Sequence, residues 1–267
     1  LGMPSERVFS GYNIVDNDYF ERGSDAARRE WESAKLSEGK SLKAHRPYFL
    51  ASARFVAKKN LFFLLEAYNS YVQAASGLAW PLVLLGDGEL REPLVERMRD
   101  YGLGLEFAAP WEWGGDTRGR GFVFMPGFRQ LDELPRFYGL AGAFVHASHS
   151  EQWGLVVNEA MASALPVLVS ERCGCANDLV RNGVNGHTFV LSPMHDLVEK
   201  MLLMARMDSS KRLAMGLSGR QIIRDWGDAA FAKGFLAAAE CAINNNKKSH
   251  RFIPKLLLGA LCAKQLP

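Results

Sequence analysis

The sequence predicts an α/β protein with a doubly wound, parallel, Rossmann-like sheet and helices at its C-terminal end. Two observations lead there. From residue 46 onward, short apolar stretches alternate with longer stretches of helical character. Each apolar stretch is hydrophobic at nearly every position, the pattern of strands covered on both faces by crossover helices. A third observation is positional. Glycines and charged residues gather just after the strands, where sheets of this kind bind their ligands.

The elements follow in order. Residues 7–20 read as a short strand and a turn, and 24–45 as a charged segment in which Ser24 caps a surface helix. Strands are expected at 48–54, 81–85, 121–125, 143–147, 166–170 and near 187–190. The helices that follow them are expected at 60–74, 89–101, 131–139, 155–163, 176–181 and 194–217. Residues 108–120 interrupt the alternation with Gly, Pro and Trp and read as a surface loop. An Ala-rich helix is expected at 228–243, a break at 244–251 and a short apolar helix at 252–263. The organisation expected is an entry segment (1–45), a nucleotide-binding domain (46–226) and C-terminal helices (227–267).

Composition narrows the class. Of 267 residues, 48% are hydrophobic and 23% charged, the balance of a globular chain able to bury a core. The net charge of +3 comes without a long Lys/Arg run, which argues against a nucleic-acid surface. Cys173 and Cys175 have no second Cys or His pair at zinc spacing, so reduced thiols in a cytoplasmic protein are expected and a metal site is not. No apolar run reaches membrane-spanning length and no signal peptide opens the chain. Its first residues, Leu-Gly-Met-Pro, read as the interior of a longer protein.

Three constellations carry chemistry. Arg54 follows the first strand, and Lys58, Lys59 and Asn60 stand where the next helix starts. Cations there oppose the helix dipole unless an anion such as a diphosphate satisfies both; the alternative is a solvated lysine pair with Asn60 as N-cap. Gly86-Asp87-Gly88 follows the second strand. It lacks the third glycine of a dinucleotide fingerprint, since residue 91 is Arg, and reads against NAD. The third is Glu151-Gln-Trp-Gly154-Leu155-Val156-Val-Asn-Glu159. Gly154 opens a helix whose first amides, on Gly154, Leu155 and Val156, are donors for phosphate, flanked by two carboxylates suited to hydroxyl groups.

Three further features are weaker. The loop Ser170–Asp178 has Gly174 as a point of close approach to a sugar or as an ordinary turn. Asp16-Asn17-Asp18 matches a metal-binding acidic triplet that is common by chance, and it heads a turn. His146 alternates with apolar strand residues and reads as a packed core histidine, while His149 lies closer to the candidate site.

From Val8 to Asp225 the chain resembles the C-terminal domain of the large retaining glycosyltransferase family of GT-B fold that includes sucrose synthase and many bacterial sugar transferases. The matching segments are Tyr12-Asn13-Ile-Val15-Asp16 with Phe20, Arg54-Phe-Val-Ala-Lys-Lys59-Asn60, Gly86-Asp-Gly88, Phe124-Met-Pro-Gly127-Phe128, Ser150 through the E-x7-E motif to Ser163, and Asn185-Gly186. The resemblance implies sugar transfer from a nucleoside-diphosphate sugar with retention and without metal or other cofactor. It implies Arg54 and Lys59 on the diphosphate, Glu151 on donor-sugar hydroxyls, Glu159 on the ribose, Leu155 and Val156 amides on phosphate, and backbone near Phe128 and Arg129 on the base. It implies a sugar, lipid or small-molecule acceptor held by an N-terminal domain, onto which residues 227–267 would pack. Ala164 and Gly174-Cys175 depart from the glycines usual in the family. A nucleotide-sugar epimerase of the same fold and a non-catalytic nucleotide-binding module are the alternatives.

Overall fold

The computed structural model describes residues 4–9, 11–37, 47–77, 79–113, 115, 117 and 121–246. Seven strands form one sheet: β1 Phe49–Ser52, β2 Leu82–Leu85, β3 Gly104–Glu106, β4 Phe122–Gly127, β5 Ala143–His146, β6 Val167–Ser170 and β7 Gly186–Phe189. Their order is β3-β4-β2-β1-β5-β6-β7, and every neighbouring pair is parallel. The helices are α1 Asn17–Ser37, α2 Leu61–Ala74, α3 Arg91–Asp100, α4 Leu134–Leu140, α5 Leu155–Ala162, α6 Ala176–Leu179, α7 His195–Arg206, α8 Ser209–Ile223 and α9 Asp228–Asn246. Residues Asn13–Asp228 make one compact unit, and the described residues outside it belong to a second.

Alternate residues of β1, β2, β4, β5 and β6 feed two cores. Phe49, Ala51, Leu82, Leu84, Val123 and Val145 point to a layer with Leu64, Tyr68, Met98 and Met201 from α2, α3 and α7. Leu50, Val83, Leu85, Phe124, Phe144 and Val169 point to the opposite layer, with Phe20, Phe137, Val157 and Met161 from α1, α4 and α5. Both faces of a strand are thus removed from water, which is why its sequence is apolar throughout. Each fully buried Leu, Val or Phe contributes roughly 1.5–3 kcal/mol of transfer free energy.

Several expectations are corrected. The segment 7–20 holds no strand among its described residues; α1 starts at Asn17, and Asp16 Oδ1 accepts the Tyr19 amide at 2.8 Å. The acidic triplet is therefore occupied in starting a helix. Ser24 is not a cap on a surface helix: it lies inside α1, wholly buried, and its hydroxyl bonds Pro135 O at 3.1 Å and Ser163 Oγ at 2.8 Å. Gly139 lets α4 come that close, since a Cβ there would stand 2.7 Å from Ser24 O. The edge strand β3 was not expected, because three residues, two of them half-buried, are too short for a pattern. The helix expected at 194–217 is two helices, parted at Met207, whose backbone is extended, with Asp208 at the N-cap position of α8 but making no side-chain cap bond. In the interrupting loop, Trp111 and Trp113 pack on Phe137 and Phe122, with ring centroids 4.6 and 4.5 Å apart. The apolar segment 252–263 lies outside the described residues.

Topology then selects a place for chemistry. From β1 the chain crosses by α2 to β2 on one side, and from β5 it crosses by α5 to β6 on the other. The loops leaving β1 and β5 diverge over the C-terminal ends of two adjacent strands. That is the topological switch point, where open parallel sheets bind ligands.

Candidate functional site

Two glycines hold the loop after β1 in place. Gly86, after β2, has φ +135°, and a Cβ on it would stand 1.9 Å from Ala53 O. A Cβ on Gly88 would stand 2.7 Å from Phe55 O, and Phe55 N donates to Asp87 O at 2.8 Å. The room left by these glycines is taken by the chain around Arg54. Arg54 itself is exposed just past β1. Lys58 and Lys59 follow in a single 3-10 turn, Ala57–Lys59, and Asn60 enters α2 in the left-handed region without a side-chain cap bond.

The loops after β1 and β5 are tied together. His149 N donates to Lys58 O at 2.9 Å. Glu151 then meets both lysines: Lys59 Nζ bonds its Oε2, and Lys58 Nζ lies 3.4 Å from its Oε1. The Glu151 side chain is 10% exposed and that of Lys59 13%. Burial pushes the Glu151 carboxyl up, but the bond and charge of Lys59, with the charge of Lys58, bring it below the usual carboxylate value. Beneath them His146 Nε2 is 4.0 Å from Glu151 Oε2. It is a core histidine, as its alternation predicts, and burial followed by the Lys59 charge lowers its pKa to about 4.

Gly154 is the N-cap of α5, left-handed at φ +107°, with no side-chain cap bond. A Cβ there would meet His146 Nε2 at 3.3 Å. Leu155 and Val156 open the helix at the crevice, and the Leu155 side chain is exposed. Glu159 lies more than a turn further in. The Tyr138 hydroxyl donates to its Oε2 at 2.6 Å. Desolvation, only partly offset by the Tyr138 hydrogen bond, raises the Glu159 pKa to about 7.

Farther along the sheet, Phe128 is exposed just beyond β4. Arg129 turns back to Glu133 Oε1 at 2.8 Å and lies over the Phe137 ring. In sheet order, the C-terminal ends of β4, β2, β1 and β5 thus carry Phe128–Arg129, Gly86, Arg54–Lys59 and Glu151. Gly174, in the loop after β6, faces protein backbone: a Cβ would stand 1.9 Å from Gln152 O, and its amide donates to Glu151 O at 2.9 Å. Cys173 and Cys175 are buried free thiols, and burial pushes Cys173 up to about 12. Among the described residues no group of three or more His, Cys, Asp or Glu is arranged to hold a metal ion, and no helix is long and apolar enough to cross a membrane.

The sequence reading missed Tyr138, the partner of Glu159. It also missed the Trp153 Nε1 bond to Asn158 Oδ1 at 3.0 Å, with Asn158 Nδ2 on Asn13 O at 2.9 Å. Tyr138 lies in a helix whose pattern reads only as core, so no local signal marks it.

The family described as Glycosyl transferases group 1 matches residues 46–206, more than half of the chain. An alpha-D-kanosaminyltransferase of Streptomyces kanamyceticus is 27% identical over 203 residues, 75% of this chain and 46% of that protein. Among solved structures, the α,α-trehalose 6-phosphate synthase of Burkholderia multivorans superposes with a TM-score of 0.67 at 14% identity, over 87% of this chain and 50% of that one. The C-terminal domain of a group 1 family glycosyl transferase (LpcC) of Francisella tularensis superposes with a TM-score of 0.57 at 20% identity, over 79% of this chain and 96% of that domain. The chain spans no more than about half the length of the kanosaminyltransferase and the trehalose-phosphate synthase. The sheet is the Rossmann-like fold of GT-B glycosyltransferases.

Proposed function

The chain belongs to the group 1 glycosyltransferases, and we propose that it is the donor-binding half of an enzyme that transfers a sugar from a nucleoside-diphosphate sugar with retention and without metal. One observation carries this reading. The candidate residues line up along the ends of four consecutive strands, β4, β2, β1 and β5. Three inter-strand spacings of ~4.8 Å make a row of about 14 Å, suited to an extended ligand. In this reading the base lies on backbone at Phe128 and Arg129, the ribose on Glu159, the diphosphate at Arg54, Lys59 and the Leu155 and Val156 amides, and the sugar on Glu151. Gly86 acts indirectly, by letting the Arg54 loop close down.

The chemistry follows from charge. Negative charge grows on the diphosphate oxygen as the bond to the sugar breaks, and fixed cations and helix amides stabilise it without reorganising. That role needs no metal, because Arg54, Lys58 and Lys59 already gather at the switch point. The acceptor, a sugar, lipid or small molecule, would be held by the other half of the enzyme. The extent of the match to an isolated C-terminal domain supports that division.

Calorimetric titration with UDP, GDP, ADP and their glucose conjugates tests the reading. Saturable binding to one base is expected. Glu159→Ala should weaken it about tenfold to a hundredfold, the worth of roughly 1.5–3 kcal/mol of charged hydrogen bond. Unchanged affinity in the variant removes the ribose role, and no binding by the folded chain removes the donor reading.

A further inference from the structure

Glu151 occupies the cations that the donor reading assigns to the diphosphate. Its carboxylate bonds Lys59 and lies 3.4 Å from Lys58, nearly out of solvent. Its main chain is tied on either side, with Gly174 N bonded to Glu151 O and His149 N to Lys58 O. Resting on that reading, we infer that Glu151 is an internal counter-anion, by which the site distinguishes an intact nucleoside-diphosphate sugar from the nucleoside diphosphate left after transfer.

The argument is one of partners. An ionised carboxylate only accepts hydrogen bonds, and it repels phosphate. A diphosphate that takes Lys59 therefore competes with Glu151 for its ammonium group, in a place too dry for water to compensate fully. His146 offers no replacement cation at 4.0 Å, since it is neutral above a pH of about 4. Sugar hydroxyls do offer a replacement, as donors to the released carboxylate. An intact donor brings them to the end of β5, and the spent diphosphate does not. The lysines consequently bind the substrate with Glu151 satisfied and the product with Glu151 stranded, so that product leaves after the sugar has gone.

Glu151→Gln separates charge from shape. The test titrates the unaltered chain and this variant with the nucleoside diphosphate that binds among UDP, GDP and ADP, and with its glucose conjugate. In the variant the bare diphosphate should bind about tenfold more tightly, while the conjugate gains less or weakens. The preference for the conjugate then shrinks. An unchanged ratio, or an equal loss for both ligands, overturns the inference and leaves the donor reading standing. No nucleotide binding by the folded unaltered chain overturns both. If the variant does not fold, crystal structures of the unaltered chain decide. The Lys59–Glu151 ion pair should be open with the conjugate bound, and an intact pair beside a bound diphosphate overturns the inference.

Discussion

Glu151 and Glu159 stand eight positions apart in one motif, yet their surroundings drive them in opposite directions. Glu151 sits in the loop after β5 against two lysines, which hold its carboxyl below the usual value despite burial. Glu159 sits inside α5 with a tyrosine hydroxyl for a partner, and desolvation raises it to about 7. A hydrogen bond alone does not offset the desolvation of a carboxylate, whereas an ammonium group does. Spacing puts both acids in one short motif, and the neighbours supplied by distant elements decide which of them is charged.

Removing the lysine should break the contrast with the largest effect. Lys59→Met leaves Glu151 buried with only the more exposed Lys58 at 3.4 Å. A loss of about 3 kcal/mol in urea unfolding is expected, as for a buried ion pair stripped of one member. The Glu151 pKa should rise toward that of Glu159, which carboxyl NMR titration would read. A change near zero would mean that Lys58 and water replace Lys59 freely.

The pH dependence sharpens the same comparison. Glu159 titrates at about 7 in the fold, against 4.5 for an ordinary Glu. Between those values the folded chain keeps a proton that the unfolded chain has released. The Glu159 contribution to stability therefore falls as pH rises from 4.5 to about 7, by about 2–3 kcal/mol at most. Glu151 has the opposite sign: its contribution is present above the ordinary value and is lost as pH falls through its lowered pKa. Buried His146 also pulls against Glu159 between about pH 4 and 6.5, so the reading is a difference: from pH 5 to pH 8, urea midpoints of the unaltered chain should fall relative to those of Glu159→Gln. Parallel curves would place the proton elsewhere.

The smallest effect lies at the end of the helix that carries Glu159. Ala164, just past α5, is left-handed at φ +52°, a conformation that favours glycine. Ala164→Gly should stabilise the fold by about 0.5–1 kcal/mol, reduced by the loss of a buried methyl. The pKa values of both carboxyls should stay where they are, because the change is one of backbone strain and not of charge. A lower urea midpoint would mean that the methyl packing outweighs the strain.

Much of the fold was legible because its causes are local. Six of the seven strands were read from runs such as Leu82–Leu85, whose every residue is buried. β3 escaped because three residues, two of them half-buried, leave no pattern. Ser24 was misread because a buried serine bonded to Pro135 and Ser163 looks, in sequence, like a cap. Glycine at 86, 88 and 154 was legible as a demand, but not as a demand made by Ala53, Phe55 and the left-handed start of α5.

By itself the sequence determined the parallel α/β architecture, the motifs at the strand ends and the resemblance to a family. Unbroken apolar runs, glycine spacing and helix openings are imposed by neighbours a few residues away. Only the tertiary structure decided that β1 lies beside β5, and so that Lys58 and Lys59 meet Glu151 across a separation of about ninety residues. It alone set Tyr138 against Glu159 and left His146 neutral beneath the ion cluster. The physical reason is that charge states follow from burial and from partners, and both are properties of the packed sheet.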